Sequence, residues 1–328
     1  MQKIDFVITW VDGNDPKWQK EKESYMDGKY KKMNQADRYR DWENLKYWFR
    51  AVEENTPWVN KIYFITEGHL PEWLNTDYEK LVVIKHSDYI NEAYLPTFNS
   101  NVIELNIHKI SGLSDLFVNF NDDMFVNKPL SPDDFFDEEL PRDTGIFSPI
   151  VPTRGTISSI VTNNIEVIND YFSSRSVLKN YFFKFFKLQY GKHLIKNFCV
   201  LPWKPILGFY DSHIPVSYNK AFFNEVWKRE KDLLEEISSH KFRQKNDINH
   251  WLIRYWQLCT GNFAPRSTSF GQYYNISDEI DAIESEISSP KYGVICLNDG
   301  NIKDFEGDKK RLISIFDKRY PNKSKFER

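Results

Sequence analysis

Phe117-Val118-Asn119-Phe120-Asn121-Asp122-Asp123-Met124-Phe125 sets an aromatic and branched run against two adjacent carboxylates, and apolar residues resume at once. The run predicts a buried strand, and the Asp pair predicts an acidic corner at its end. Ionised carboxylates beside a core are costly unless a cation or hydrogen bonds compensate them. Ligands of α/β sheets gather at the carboxyl ends of strands. A hard divalent cation that also holds phosphates needs one or two carboxylates of this kind. For the pair alone, a solvated Asp-rich turn is an equal reading.

Two other segments end alike. Ile4-Asp5-Phe6-Val7-Ile8-Thr9-Trp10-Val11 reads as a first strand, stopped by Asp12-Gly13-Asn14-Asp15-Pro16. Tyr292-Gly293-Val294-Ile295-Cys296-Leu297 reads as a late strand, stopped by Asn298-Asp299-Gly300. Each Asp-Gly alone predicts a turn. Three strand-terminal Asp signals in one parallel sheet predict a shared cation or nucleotide site along one edge. Further strands are expected at 59–66 and 81–84. Leu45, Trp48, Phe49 and Val52 carry a helical spacing, and a helix is expected over 101–110. This alternation predicts an α/β fold with a mostly parallel sheet. After residue 150 the pattern turns helical, most clearly over 218–260. The expected organisation is an α/β core at 1–150, a helical region at 151–260, and a return to the core at 261–328 with a polar tail.

At 328 residues and 41% hydrophobic, the chain can bury a large core. Forty-four basic residues against 47 acidic give a net charge of -3, which argues against a nucleic-acid partner. Cys199, Cys259 and Cys296 are scattered and odd in number, with no metal-ligand or disulfide spacing. That pattern, with no apolar leader and no run of about 18 apolar residues, predicts a cytoplasmic protein.

Several polar residues are candidates on local grounds. Leu95-Pro96-Thr97-Phe98-Asn99-Ser100 precedes the expected helix, and Asn101-x-x-Glu104 resembles a capping box. Free N–H groups there suit phosphate. Glu104 and His108 are four apart and would share a face. His213 and His240 fall in expected loops or helix ends, where lone histidines are usually surface groups. Arg243 has the planar fork that clamps phosphate, and Arg38 and Arg40 sit in a similar polar stretch. Over 178–206, Lys179, Lys184, Lys187, Lys192 and Lys196 interleave with aromatics. Such a stretch suits an anionic membrane surface or, since apolar residues run nearly all round, a buried helix.

Four stretches, in order and covering about half the chain, resemble the Stealth family of sugar-1-phosphate transferases. Residues 4–13 resemble its first conserved region. Its second runs from Arg40-Asp41-Trp42-Glu43-Asn44-Leu45 through Pro57-Trp58-Val59, Thr97, Asn99, Ser100, Glu104 and His108 to Asn121-Asp122-Asp123 and Asp133-Asp134-Phe135. His213-Ile214-Pro215 and His240-Lys241-Phe242-Arg243 with Asp247 resemble the third, and residues 292–299 the fourth. After the second strand the family often has Thr-Asn-Gly, where this chain has Thr66-Glu67-Gly68. Residues 136–210 match no family pattern.

The resemblance implies a glycosyltransferase A-like sheet that binds a UDP-sugar. It implies attack of a glycan hydroxyl on the β-phosphate, release of UMP, and hexose-1-phosphate or N-acetylhexosamine-1-phosphate left in a phosphodiester of a capsular or cell-surface polysaccharide. Asp122, Asp123 and Asp299 would hold Mg²⁺ or Mn²⁺. Arg243 and Arg40 would stabilise charge, and His213 would act as general base or orient the β-phosphate. Trp10, Asp12, Gly13, Thr97, Asn99, Ser100, Glu104, His108, Asn121, His240, Asp247 and Asn298 would bind substrate or nucleotide. The acceptor is expected to be lipid-linked, with a peripheral contact at the inner face of the membrane. The rival reading is a metal-dependent glycosyltransferase that attacks the anomeric carbon and releases UDP; a non-catalytic binding module is a third.

Overall fold

Successive residues of β1 (Ile4–Thr9) feed two different cores: Phe6 and Ile8 join one apolar cluster and Val7 the other. A strand covered on both faces has no polar face, hence the apolar run Phe6-Val7-Ile8. The computed structural model describes residues 2–26, 41–154, 156–300, 302 and 304–328. After β1 come α1 (Pro16–Tyr25), α2 (Leu45–Asn55), β2 (Ile62–Thr66), β3 (Leu81–Lys85), α3 (Ser100–Leu105) and β4 (Leu116–Phe120). β1 pairs in parallel with both β2 and β4, and β2 with β3. The mostly parallel α/β sheet expected from the sequence is thus borne out.

Burial of α2 follows its spacing, with Leu45, Trp48, Phe49 and Val52 packed against one face of the sheet. At the far end of β1, buried Asp5 accepts hydrogen bonds from Asn60 Nδ2 (2.7 Å), Lys61 N (3.1 Å) and Ser114 N (2.8 Å). It ties two loops to β1 and is satisfied without a cation.

The acidic corner is a crossing point between sheets. After β4, Asn121-Asp122-Asp123 leads directly into β5 (Met124–Val126), which belongs to a second sheet. Then follow β6 (Phe136–Asp137), β7 (Leu140–Asp143), α4 (Ser158–Tyr171), α5 (Ser174–Phe185), α6 (Leu194–Cys199), β8 (Val216–Asn219), α7 (Lys220–Arg229), α8 (Lys231–Ser238) and α9 (Trp251–Cys259). The chain closes with β9 (Ala264–Pro265), β10 (Gly271–Asn275), α10 (Ile276–Ser288), β11 (Val294–Asn298) and α11 (Phe305–Arg319).

The structure corrects the expected layout in three places. The middle segment is not wholly helical: β8 pairs antiparallel with β4 and completes the order β3-β2-β1-β4-β8. The late strand β11 lies not in that sheet but in a second, of order β10-β11-β5. The polar tail is the helix α11, whose Leu312, Ile315 and Phe316 are buried against α10 and the α2 side of the core. Arg50 of α2 fastens the last residues, pairing with Glu327 at 2.6 Å and donating to the Tyr320 carbonyl at 2.7 Å. No helix among the described residues is long and apolar enough to cross a membrane.

Candidate active site

The ends of β1 and β4 in one sheet and of β11 in the other meet around a cavity of about 450 Å³. Asp122, Asp123, Asn298 and Asp299 line it together with His213, Arg243, Glu104 and Asn249. A smaller lobe of about 180 Å³ includes Thr97, Phe98, Trp18 and His86. The two share Trp10, Ser100, Glu104, Asp122, Asp123 and Arg243, which makes them one cleft. The convergence expected of three acid-terminated strands therefore holds for two of them through their carboxylates.

Asp123 is fixed from two sides. The Leu297 amide donates to its carbonyl at 2.8 Å, and the Cys296 thiol donates to Oδ2 at 3.3 Å. His213 Nε2 lies 3.5 Å from the same oxygen. Oδ1 is buried without a hydrogen-bond partner. Desolvation and the neighbouring charge of Asp123 raise the Asp122 pKa, the first effect being softened because the residue is exposed. A divalent cation fits here on two counts: it would satisfy the orphaned oxygen and relieve two crowded carboxylates. Among the described residues, Asp123, His213 and Cys296 also place possible ligand atoms within 4.8 Å of one another.

His213 is held in a left-handed backbone conformation, with φ of 49°. That conformation is uncommon for a non-glycine residue and is favoured where surrounding structure imposes it. The surrounding structure is visible: the His213 amide donates to Asp211 Oδ1 at 2.9 Å. Arg254 in turn sits 3.7 Å from that carboxylate and donates to the Tyr210 carbonyl at 2.9 Å. Arg254 itself is clamped by buried Asp143 through bonds of 2.6 and 2.8 Å. Burial opposes the charge on His213, but the hydrogen bond and charge of Asp123, with Asp211 and Glu104, outweigh it and lift the pKa to about 9. With no cation on Asp123, the imidazole is therefore favoured in its charged form at neutral pH.

Arg243 reaches the cleft from the loop after α8 and donates to the hydroxyl of Ser100, the first residue of α3. Its loop is anchored by Asp247, which is fully buried. Asp247 accepts from Asn99 Nδ2 at 2.8 Å, Asn101 Nδ2 at 3.0 Å and the Gln244 amide at 3.2 Å, and contacts His240 Nδ1 at 2.7 Å. Asn99, His240 and Asp247 thus line neither lobe; they dock the Arg243 loop onto the start of α3. The helix cap is Asn99, bonded to the Asn101 amide, so the expected Asn101-x-x-Glu104 box is not formed.

Two further expectations are corrected. α3 ends at Leu105, and His108 falls in a following turn, stacked on Phe223 at 5.4 Å and away from the cleft. Burial first, then the charges of Lys109 and Lys220, hold its pKa at about 3. Asp12 and Gly13 do not line the cleft either. The Asp12 amide donates to His69 Nε2 at 2.7 Å, its carboxylate accepts from the Asn14 amide, and the Gly13 carbonyl accepts from Gln19. That turn sets the start of α1, while Trp10, stacked on Phe64, forms the wall. Arg40 lies outside the described residues. Asn121 lines both lobes, and Asn298, which lines the larger, donates to Asn275 Oδ1 at 3.2 Å. At the departure Thr66-Glu67-Gly68, Glu67 pairs with His86, a wall residue of the smaller lobe.

Sequence reasoning missed His250, Asn249 and Trp251 at the start of α9, and Asp41 and Trp42 before α2. The Tyr218 hydroxyl lies 2.7 Å from His250 Nδ1 and donates to the His250 carbonyl at 3.0 Å. His250 Nε2 lies 3.4 Å from Glu104 Oε2. Burial, then Arg254 and His213, hold His250 neutral, so this contact is not an ion pair. Burial also raises Glu104, with Asp123 and Asp122 pushing it further up against Arg243 and His213, to about 7. The available signs were the polar Asn249-His250 pair just before an apolar helix and, for Asp41 and Trp42, their place in the second family region.

Residues 2–30 and 38–143 match the models of Stealth conserved regions 1 and 2. The chain is 52% identical to the capsular polysaccharide phosphotransferase WcwK of Streptococcus pneumoniae, covering 100% of this chain and 99% of that protein. It is 41% identical to the receptor polysaccharide phosphotransferase WefC of Streptococcus oralis, over the whole of both chains. With the exopolysaccharide phosphotransferase cps2G of Lactiplantibacillus plantarum the identity is 42%, over 99% and 96%. Among solved structures, the galactosyltransferase LgtC with donor and acceptor sugar analogs aligns over 96% of this chain and 95% of its own, at 10% identity and a TM-score of 0.41. Whole-length identity at this level, together with both matched regions, settles the kinship: the chain belongs to the Stealth family of phosphotransferases.

Proposed function

We propose that this enzyme transfers hexose-1-phosphate or N-acetylhexosamine-1-phosphate from a UDP-sugar to a glycan hydroxyl, releasing UMP, in capsular or cell-surface polysaccharide synthesis. The observation that carries the reading is one cleft in which an acidic corner faces two cationic groups, His213 and Arg243. The names of the whole-length relatives support it.

The aromatic lobe beside Trp10, Trp18 and Phe98 suits the uracil ring. The larger lobe takes the diphosphate and sugar. Asp122, Asp123 and Asp299 would hold Mg²⁺ or Mn²⁺, which when bound neutralises charge on the phosphate oxygens. In-line displacement at phosphorus passes through a loose transition state, so positioning and charge matter most. Arg243 supplies a fork held by Ser100. His213 lies beside Asp123 in the cleft and, in its protonated form, donates to a non-bridging β-phosphate oxygen. The acceptor hydroxyl attacks the β-phosphorus, its proton passes to a carboxylate of the cleft, and UMP leaves. The acceptor is lipid-linked and the reaction cytoplasmic, a setting consistent with three free cysteines.

The test is incubation with a panel of UDP-sugars and acceptor glycans, with and without EDTA, followed by chromatography of the nucleotide and mass analysis of the glycan. UMP, a product heavier by a hexose phosphate, and loss of both in EDTA are expected. UDP with a plain glycosidic product would assign the enzyme to the glycosyltransferase rival.

A further inference from the structure

Seven of the eleven large hydrophobic side chains found exposed among the described residues fall between residues 182 and 203. Phe183 is 79% exposed, Leu188 91% and Ile195 66%. These are not scattered groups. Phe182 stacks on Phe186 at 4.3 Å, Phe198 packs edge-on to Phe186 at 4.8 Å, and Phe183 meets Phe182 at 5.7 Å. Ile195 and Phe198 lie three apart on α6 and share its outer face. The inward side of the same segment is occupied: Val177, Leu178 and Phe185 are buried. The stretch is therefore neither a buried helix nor a disordered tail but a folded subdomain with one apolar face outward. Patches of this kind on a monomer mark a docking surface.

The charge around the patch identifies what docks there. From Tyr171 to Tyr210 the chain has no Asp or Glu and seven Lys or Arg, in a protein of net charge -3. Arg175, Lys179, Lys187, Lys192 and Lys204 are exposed. Lys184 and Lys196 are used internally, Lys184 on the carbonyls of Gly261 and Phe263 and Lys196 on Ser148. A second copy of this chain would bring like charges face to face across a two-fold axis, which disfavours it. Exposed aromatics with a rim of lysines, one of them flanking exposed Trp203, match the headgroup region of an anionic bilayer.

The patch also has a direction. Lys192, His193 and Tyr210 line a groove of about 600 Å³ that continues past Gln272 and Tyr273 to His213. We infer that residues 182–203 seat the enzyme on an anionic phospholipid surface, with this groove opening beside the bilayer. Docking holds whatever group is transferred; its use for a lipid-carried acceptor rests on the function proposed above.

Flotation of the full chain with phosphatidylglycerol-containing vesicles and with pure phosphatidylcholine vesicles separates the two questions, because it needs no turnover. Wild type floats with the anionic vesicles at low salt and is released as salt rises. Lys179→Glu/Lys187→Glu/Lys204→Glu lowers partitioning about a hundredfold, and Phe183→Glu/Leu188→Glu/Ile195→Glu lowers it at least about tenfold. These positions are exposed, and unchanged thermal melts qualify each variant for the comparison. Wild type remaining unbound to anionic vesicles at low salt overturns the inference, as does undiminished flotation of the charge-reversed variant. Self-association that the apolar variant abolishes, without flotation, assigns the patch to a second copy and refutes the bilayer.

Discussion

Replacing Asp123 with Asn removes the group that keeps His213 charged while leaving the corner nearly isosteric. With Asp123 present, the His213 pKa stands at about 9 against an ordinary 6.5. That gap of about 2.5 units corresponds to about 3 kcal/mol favouring the charged ring. It is an upper figure, since a side chain 30% exposed remains screened by solvent. Burial pulls the other way, so without Asp123 the pKa should fall by at least about 2 units, to about 7 or below. Titration of the His213 ring resonances by NMR in EDTA reads this directly. Because the folded pKa lies above the unfolded one, this stabilisation is full below about pH 6.5 and is lost as pH rises through 9. Wild type should therefore lose urea stability over that interval, and Asp123→Asn should not. Adding Mg²⁺ or Mn²⁺ to wild type should move the His213 pKa in the same direction as the mutation, if Asp123 takes the ion. A His213 pKa that moves by less than about half a unit in Asp123→Asn would refute the coupling.

Arg254→Met should cost about 3–5 kcal/mol in urea denaturation, because it leaves Asp143 buried without its partner; a loss below about 1 kcal/mol would show the pair to be dispensable. Arg243→Ala should reduce kcat by orders of magnitude with little change in UDP-sugar affinity by calorimetry, and Arg243→Lys should rescue poorly, since a point charge replaces a planar fork. Near-normal turnover in the lysine variant would remove the fork from the mechanism. His108 is buried with a pKa of about 3, below its unfolded value, so its stabilisation is present above about pH 6.5 and is lost on acidification. His108→Phe should lose about 3 kcal/mol less than wild type between about pH 7 and 4, and parallel acid curves would contradict this.

The α/β class was legible because β1, β2 and β4 are covered on both faces and so read as largely apolar runs. The acidic corner was legible for the same reason: two carboxylates interrupt that run. The second sheet was not, since β5 has three residues, too few to display a period. Nor did the spacing of Glu104 and His108 carry over, because the helix stops between them and the turn sends His108 to the core. The part played by His250 depends on Tyr218 and Glu104, which are brought together only by the pairing of β8 with β4. The left-handed backbone of His213 depends on Asp211 and, through it, on Arg254 and Asp143, contacts between residues far apart in the chain. The interleaved lysines and aromatics of 178–206 fitted a buried helix and a surface equally well. Folding resolves them, turning Phe185 inward and Phe183 outward on the same element.

The fate of the donor's β-phosphorus tests the proposed chemistry most directly. With a UDP-sugar radiolabelled at that atom, phosphotransfer leaves the label in the glycan as a phosphodiester and releases unlabelled UMP. Label recovered wholly in UDP, with an unlabelled glycoside as product, would contradict it.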